Sequence, residues 1–406
     1  MTTAKMAESL PGHHARLLPV FAATALSLAP DGHESLISSV MQWSPQQDAA
    51  LVAVADWQKQ AVRRKGEQVF RLFGFAGTGK TTLARHIAEG IDGAVIFCAF
   101  TGKAASVMRA KGCEDASTIH SLIYRSKESK AEEPTFILNR RSDVSHAKLV
   151  IIDECSMVDE ELGNDLMSFG VPILVLGDPA QLPPVKGGGF FTEHEPDVML
   201  TEVHRQARDN PIVRMSMTIR EGGTLERGIF GESRVVGRED IDATQIMAAD
   251  QVLVGRNETR RKFNKRIREL HGYHDAFPAK EEKLVCLRNN RQKGLLNGET
   301  FTVKLVGERA GGLVKMRVAP ESGDGPTVKV SVLSEFFEGR GEEIPWQLRR
   351  HTDEFDYGYA LTVHKSQGSQ WDSIVLFDES FAFREHRQRW LYTAVTRAAK
   401  RITIVA

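Results

Sequence analysis

The most regular feature of the chain is a set of short, unbroken apolar runs between residues 68 and 185. Four of them, Val69–Gly74 (VFRLFG), 94–100 (AVIFCAF), 149–152 (LVII) and 173–176 (ILVL), end at turn residues. Runs of this length without polar alternation suit strands buried on both faces. Stretches of helical length separate them. The pattern predicts a parallel sheet covered by helices, with ligands at the carboxyl ends of its strands. A second region of this kind is split: 252–270 reads as strand then helix, and 360–406 as strand, helix, strand. Between the two parts, over 283–347, the period changes. The runs VCL, FTVKLV, LVKMRVA and TVKVSVL alternate between Gly-rich turns, which predicts a small all-β insert. A shorter charged segment, 124–146, holds one strand-like run at Thr135–Leu138. The chain has no repeats and no low-complexity tract.

Composition narrows the class. A length of 406 residues allows two to four domains, and 41% hydrophobic with 26% charged residues fits a globular protein with cores. Lys+Arg and Asp+Glu are equal at 53 each. That excludes a nonspecific polybasic binder but not a local basic groove. The four cysteines (Cys98, Cys113, Cys155, Cys286) form no CxxC pair or Cys/His cluster. Neither a zinc site nor a disulfide framework is expected, and a reducing cytoplasm is the natural compartment. The apolar run 17–29 (LLPVFAATALSLA) is too short to span a bilayer. It reads as a peripheral helix, or as an extension ahead of a start near Met41, rather than as a signal peptide.

The chemistry starts at Gly74-Phe75-Ala76-Gly77-Thr78-Gly79-Lys80-Thr81, which follows a predicted strand and, from Thr82, opens a helix. The stretch fits G-x-x-x-x-G-K-[ST]. Its glycines let backbone N–H groups close around phosphates, and the helix N-terminus adds partial positive charge. Lys80 supplies a point charge for the β- and γ-oxygens, and Thr81 a hydroxyl for Mg²⁺. Asp153-Glu154 follows the next buried run. Asp153 is the candidate to hold Mg²⁺, and Glu154 to orient and deprotonate an attacking water. Together these residues predict ATP hydrolysis without showing what the energy drives.

A series of further motifs answers that. Trp43-Ser44-Pro45-Gln46-Gln47 precedes the phosphate loop. Thr101-Gly102-Lys103-Ala104-Ala105, Ser117-Thr118-Ile119-His120, the Asp153-Glu154 pair (DECSMV) and 177–185 (GDPAQLPPV) follow it. Val203-His204-Arg205-Gln206, 361–369 (LTVHKSQGS) and 391–398 (LYTAVTRA) complete the order. From Trp43 to Ala406 the chain resembles superfamily 1 helicases, in the branch of RecD and the phage helicase Dda. The resemblance implies an α/β fold with two RecA-like motor domains and parallel sheets, plus a small β insert and an SH3-like all-β insert. It places an extension at 1–40 and a first motor domain at 41–202, with the small insert at 123–147. The second motor domain would span 203–280 and 350–406, interrupted by the SH3-like insert at 281–349.

The same resemblance implies residue roles. Gln47 would read adenine, Gln181 would sense the γ-phosphate, and Arg205 and Arg397 would be arginine fingers reaching in from the second domain. Thr101, Lys103, Thr118 and His120 on the first domain, with Thr362, His364, Lys365, Ser366 and Gln367 on the second, would grip the backbone of a single strand. His364-Lys365-Ser366-Gln367-Gly368 is the form of the 5′→3′ branch, whereas the opposite-polarity UvrD/Rep branch usually has Lys-Gly for Gln-Gly. The implied protein is a monomeric ATP- and Mg²⁺-dependent DNA helicase acting on single strands and duplex junctions. It would serve replication, recombination or repair beside proteins of those processes, away from any membrane. An RNA helicase, or a nucleic-acid-stimulated ATPase subunit without unwinding activity, remains the alternative. The basic helix 257–270 reads equally as a solvated face or a DNA-facing one. Phe136 in the small insert is a candidate strand-separating residue, with a mere sheet cover as the alternative, and Trp371 reads as core.

Overall fold

The computed structural model describes residues 43–62, 66–127, 135–183, 189–203, 209–321 and 326–406. The first sheet is six-stranded and wholly parallel. Its strands are β1 (Val69–Gly74), β2 (Val95–Ala99), β3 (Ser117–Thr118), β6 (Leu149–Asp153), β7 (Ile173–Gly177) and β8 (Val198–Leu200), in the order β3-β2-β6-β7-β1-β8. The buried runs become its centre: Leu149 to Ile152 and Ile173 to Leu176 are at most 1% exposed. Strands sealed on both faces need no polar alternation, so the runs are continuous. The neighbours β6, β7 and β1 bring Asp153, Gly177 and Gly74 to one edge. A hairpin of β4 (Tyr124–Lys127) and β5 (Thr135–Leu138) stands beside this sheet. Phe136 lies in β5.

The second sheet contains β9 (Gly228–Phe230), β10 (Ser233–Val236), β11 (Gln251–Val254), β17 (Ala360–Thr362), β18 (Trp371–Phe377) and β19 (Ala398–Val405), in the order β17-β11-β18-β19-β10-β9. All its pairs are parallel except β9 with β10. Its core gathers Leu253, Leu376, Trp390 and Ile402, and Trp371 packs against that cluster. The insert is an antiparallel five-stranded sheet, ordered β15-β14-β13-β12-β16. Its strands are β12 (Lys283–Cys286), β13 (Thr300–Ala310), β14 (Leu313–Pro320), β15 (Val328–Leu333) and β16 (Phe355–Tyr357). In β14, Val314, Met316 and Val318 are buried while Lys315 and Arg317 face outward, the period-2 pattern of a sheet with one wet face.

The helix Asn257–Leu270 does not present its basic residues as one surface. Arg260 and Arg268 are buried with Asn264 and Ile267. Arg260 Nη1 is 2.7 Å from Asp356, and Arg268 Nε is 2.6 Å from Glu282. Asn264 donates to the carbonyls of Tyr357 and Ala360, both at 3.1 Å. These charges and amides therefore fasten the insert's return strand to the second sheet. Only part of the helix matches the solvated reading: Lys262 and Arg266 sit in exposed pairs with Glu258 and Glu269.

The helix Arg387–Val395 joins the second sheet to the first. Tyr392, 1% exposed, donates its hydroxyl to Asp178 Oδ2 at 2.6 Å and accepts from the N–H of Ala76 at 3.0 Å. Thr393 Oγ1 accepts from the N–H of Leu182 at 2.9 Å, and Gln367 Nε2 donates to the carbonyl of Leu182 at 3.0 Å. Arg220, at the end of the helix Pro211–Arg220, lays its guanidinium 3.7 Å from the centroid of the Phe75 ring.

Both kinds of buried contact can be tested by unfolding. Arg268→Met would leave Glu282 charged at 0% side-chain exposure, at a cost of about 3–5 kcal/mol. Adding Glu282→Leu should recover much of that loss in a urea titration. Tyr392→Phe strips one donor from Asp178 and one acceptor from Ala76. The expected loss is about 1–3 kcal/mol, read as a lower urea midpoint at unchanged slope.

Candidate active site

The phosphate loop is built by glycine geometry. Gly77 and Gly79 both have φ of +81°, a left-handed conformation that disfavours side chains. Gly79 is also the N-cap of the helix Lys80–Glu89 and supplies no side-chain cap. The first amides of that helix therefore stay available to an anion. A Cβ at Gly74 would meet Thr78 Oγ1 at 2.7 Å and Leu200 Cβ at 2.8 Å, so the turn closes too tightly for any other residue. Lys80 bends back over the loop, its Nζ 2.6 Å from the Gly74 carbonyl and 3.0 Å from that of Phe75. Gln47, 3% exposed, braces the loop through Nε2 to the carbonyl of Thr78 at 3.0 Å while Oε1 accepts from the N–H of Ser44.

Across the loop, Thr81 Oγ1 donates to Asp153 Oδ2 at 3.1 Å. Glu154 follows with φ of +54°, uncommon for a residue with a side chain. Such a backbone persists only when its surroundings enforce it. Burial pushes the Glu154 carboxyl above the usual carboxylate range, with Arg397 opposing the shift and Asp153 adding to it. Arg397 Nη1 lies 3.8 Å from Glu154 Oε1. The guanidinium is 5% exposed and is aimed by bonds to the carbonyls of Thr393 and Ser369. Gln181 is 8% exposed, and its Oε1 has no hydrogen-bond partner among the described residues.

These groups converge. A cleft of about 350 Å³ is lined by Ala76, Gly77, Gly79, Lys80, Thr81 and Thr82, by Asp153, Glu154 and Gln181, and by Arg397 from the second sheet. Gly368, also in the lining, sits so close to the first sheet's layer that a Cβ there would be 2.9 Å from both Ala104 Cβ and Thr101 Oγ1. Arg205 and its neighbours 204–208 lie outside the described residues, as does the segment 1–42.

The donors fit the groups that the loop implies. Thr81 and Asp153 offer one hydroxyl and one carboxylate, a set suited to a hard cation that takes its other ligands from water and phosphate. Among the described residues, no group of three or more His, Cys, Asp or Glu side chains gathers as a metal cage.

A second cleft, about 390 Å³, lies among the insert and both parallel sheets. Its lining includes Thr101, Lys103, His364, Lys365 and Gln367, with Asn297 and Gly298 of the insert. Burial lowers the pKa of His364, and His386 adds to the effect; burial also lowers that of Lys365, with Arg260 adding to it. The remaining expected strand contacts are not in this lining. Thr118 caps the helix Ile119–Ile123 by accepting from the N–H of Ser121. His120 packs against Phe100 and Tyr124, and burial lowers its pKa. Thr362 accepts from the N–H of Lys365, while Ser366, fully buried, donates to the carbonyl of Val363. Thr101 likewise caps the helix Gly102–Ala110 through the N–H of Ala104. Tyr392 and Arg220, which touch the phosphate loop from the second layer, were not singled out from the sequence. Tyr392 lies five residues before Arg397 in the same motif, and that proximity was the available signal.

Comparison with known proteins agrees with this geometry. Residues 53–233 match the family described as AAA domain, and 357–405 the UvrD-like helicase C-terminal domain. The ATP-dependent RecD2 DNA helicase of Deinococcus radiodurans is 28% identical over 365 residues, covering 83% of this chain and 46% of that protein. The ATP-dependent DNA helicase Dda of Enterobacteria phage T4 is 32% identical over 178 residues, 40% of each chain. The chain thus spans less than half the length of both these relatives. Among solved structures, two coordinating Pif1 helicases at forked double-stranded DNA superpose with a TM-score of 0.57 at 18% identity, over 90% of this chain and 92% of that one. Pif1 from Bacteroides with ADP-AlF3 and single-stranded DNA gives 0.54 at 18%, over 89% and 92%. The two family matches and these relatives make the chain similar to superfamily 1 helicases of the RecD and Dda group, and the Pif1 structures show that it shares their fold.

Proposed function

We propose that the chain is an ATP-driven motor that moves 5′→3′ along single-stranded DNA and separates duplexes at junctions. One observation carries this reading: Lys80, Asp153, Glu154 and Gln181 from one sheet share a cleft with Arg397 from the other. A nucleotide bound there would be held from both sides. The relatives named as DNA helicases, and the Pif1 structure with single-stranded DNA, support DNA as the track.

The chemistry follows from the residues. The loop amides and Lys80 hold the phosphates. Mg²⁺ held by Thr81 and Asp153 would neutralise charge on the phosphate oxygens. Glu154, with its raised pKa and enforced backbone, is positioned to take the proton of an attacking water. The amide of Gln181 orients that water and reads the γ-phosphate. Arg397 stabilises charge that develops on the transferred group, with Arg205 assigned as the second finger. Fingers of this kind contribute ~10³–10⁵ in rate. Loss of the γ-phosphate removes the contacts that favour closure, so the two layers separate. Gln47 is assigned to adenine recognition beside its bracing of the loop.

In this reading the layers are two RecA-like motor domains, 41–202 and 203–280 with 350–406, and 281–349 is an SH3-like insert, which takes its return strand β16 (Phe355–Tyr357) from the second domain's part of the chain. The second cleft is the track, gripped by Thr101, Lys103, His364, Lys365 and Gln367, while Thr118, His120, Thr362 and Ser366 lie outside its lining and hold the neighbouring structure in place. The β4–β5 hairpin is the candidate to part a duplex, with a cover for the first sheet as the alternative. The protein works as a cytoplasmic monomer in replication, recombination or repair. No helix among the described residues is long and apolar enough to cross a membrane.

The deciding experiment is unwinding of partial duplexes with a 5′ or a 3′ tail, with ATP and Mg²⁺. Separation from the 5′ tail alone is expected. Separation on RNA tracks only would reassign the substrate, and strand-stimulated hydrolysis without separation from either tail would make the chain an ATPase subunit. Glu154→Gln should lower hydrolysis by ~10²–10⁴ while single-strand binding persists. Because only the ionised carboxylate accepts a proton and burial raises its pKa, hydrolysis should be present above that pKa and lost as pH falls through it. This acid limb should lie above the ordinary glutamate value of about 4.3. Full turnover in the Gln variant would remove Glu154 from the mechanism.

A further inference from the structure

On the second sheet, β17, β11 and β18 are parallel neighbours, so the loops at their carboxyl ends lie side by side. The first loop holds Thr362, His364 and Lys365, the second begins at Gly255 and Arg256, and the third runs from Asp378 to Arg384. The second and third are fastened through Glu379. Its side chain, 4% exposed, accepts from the N–H groups of Gly255 and Arg256 at 2.8 and 3.0 Å, from Arg256 Nε and Nη2 at 3.0 and 2.9 Å, and from Thr259 Oγ1 at 2.7 Å. Burial alone would raise its pKa, but the bonds from Thr259 and Arg256 hold it below the usual carboxylate range. Phe383 ties the third loop to the first and to the core, its ring 5.3 Å from that of His364 and stacked 5.4 Å from Trp390.

On this rigid base stands Phe381. It is 60% exposed, and it is the one aromatic among the exposed large hydrophobic side chains of the described residues. Arg256 sets its guanidinium carbon 5.9 Å from the ring centroid. Arg384, exposed and held at φ +43° and ψ −111°, adds a second positive charge and an enforced bend three residues on. An apolar ring held in water by an ordered loop, with the Arg256 guanidinium beside it, is a poor solution for stability alone. It is the construction that stacks a nucleobase, because every base has a π-face and the neighbouring cations attract the phosphates between bases.

We propose that Phe381 is a stacking platform for one base of the single strand, beyond the His364–Lys365 grip. The inference rests on the reading that the strand passes over the 362–367 loop. Stacking on a protruding ring is indifferent to sequence, as a motor that meets every base requires. It also adds a hold on the bases to the contacts that grip the phosphates.

The probe is a fluorescein-labelled oligo(dT) of about 16 nucleotides, the upper site size of common single-strand grooves, beside an abasic strand of equal length. Phe381→Ala should bind oligo(dT) about ten-fold more weakly than the unaltered chain, yet bind the abasic strand equally well. Phe381→Trp should restore oligo(dT) binding, and its emission should be quenched by oligo(dT) but not by the abasic strand. Equal affinity of Phe381→Ala and the unaltered chain for oligo(dT) would overturn the proposal, and so would an equal loss on both strands. If the unaltered chain itself bound neither strand, the motor reading would fall, and this inference with it; that outcome is seen before any variant is made.

Discussion

One buried hydroxyl keeps the phosphate loop in register with the rest of the molecule. Tyr392 spans from the second layer to Asp178 and to the N–H of Ala76, so the loop's shape depends on a side chain from a different sheet. The bond to Asp178 is short and both partners are buried, so either would be costly to leave unpaired. Two further bonds, to both backbone groups of Leu182, fix the segment that follows Gln181. A shift of the helix Arg387–Val395 would therefore move Arg397, release Ala76 and free the Gln181 segment together. These are the parts that a nucleotide would contact, so in the proposed motor closing the cleft and assembling the chemistry would be one event.

That coupling explains the character of the interface. A purely apolar seam would resist opening, whereas a permanently wet one would not aim an arginine. Here Leu182, Ala180 and Ala76 pack against the second layer's core around a few directed hydrogen bonds. Glycine at 368 lets the layers approach to within van der Waals contact beside Thr101. The same approach joins the two clefts: Thr101 lies in the wall of the second, and Gly368 in that of the first.

Much of this was legible in the chain. β1 falls on the predicted run, β2 is one residue shorter at each end, and β6 and β7 are each one residue longer at the carboxyl end, because unbroken apolarity is a strong signal for a doubly covered strand. The insert showed itself by a change of period. Short strands were not legible. β8, β9 and β16 have three residues each and exist because a neighbour offers hydrogen bonds, which no local pattern announces. The phosphate loop, Asp153 and Glu154 could be read because their spacing is local. Tyr392 could not be assigned a role in that way, since its partner Asp178 is 214 residues distant.

The helix Asn257–Leu270 shows how charge can mislead. Its six cations suggested a surface, yet Arg260, Asn264 and Arg268 recur every four residues, the spacing of one helical stripe. Such a stripe, carrying Ile267 beside it, is an inward face whose polar groups need partners. Asp356 and Glu282 supply them from the two ends of the insert. Burying those pairs adds little net stability over apolar residues of similar size, but it penalises every docking of the insert in which a charge is left alone. The consequence is positional. The insert is held in one register on the second sheet, so that Asn297 and Gly298 line the second cleft together with His364 and Lys365. In the proposed motor, a wall that follows the second layer would hold a strand against it while the first layer lets go.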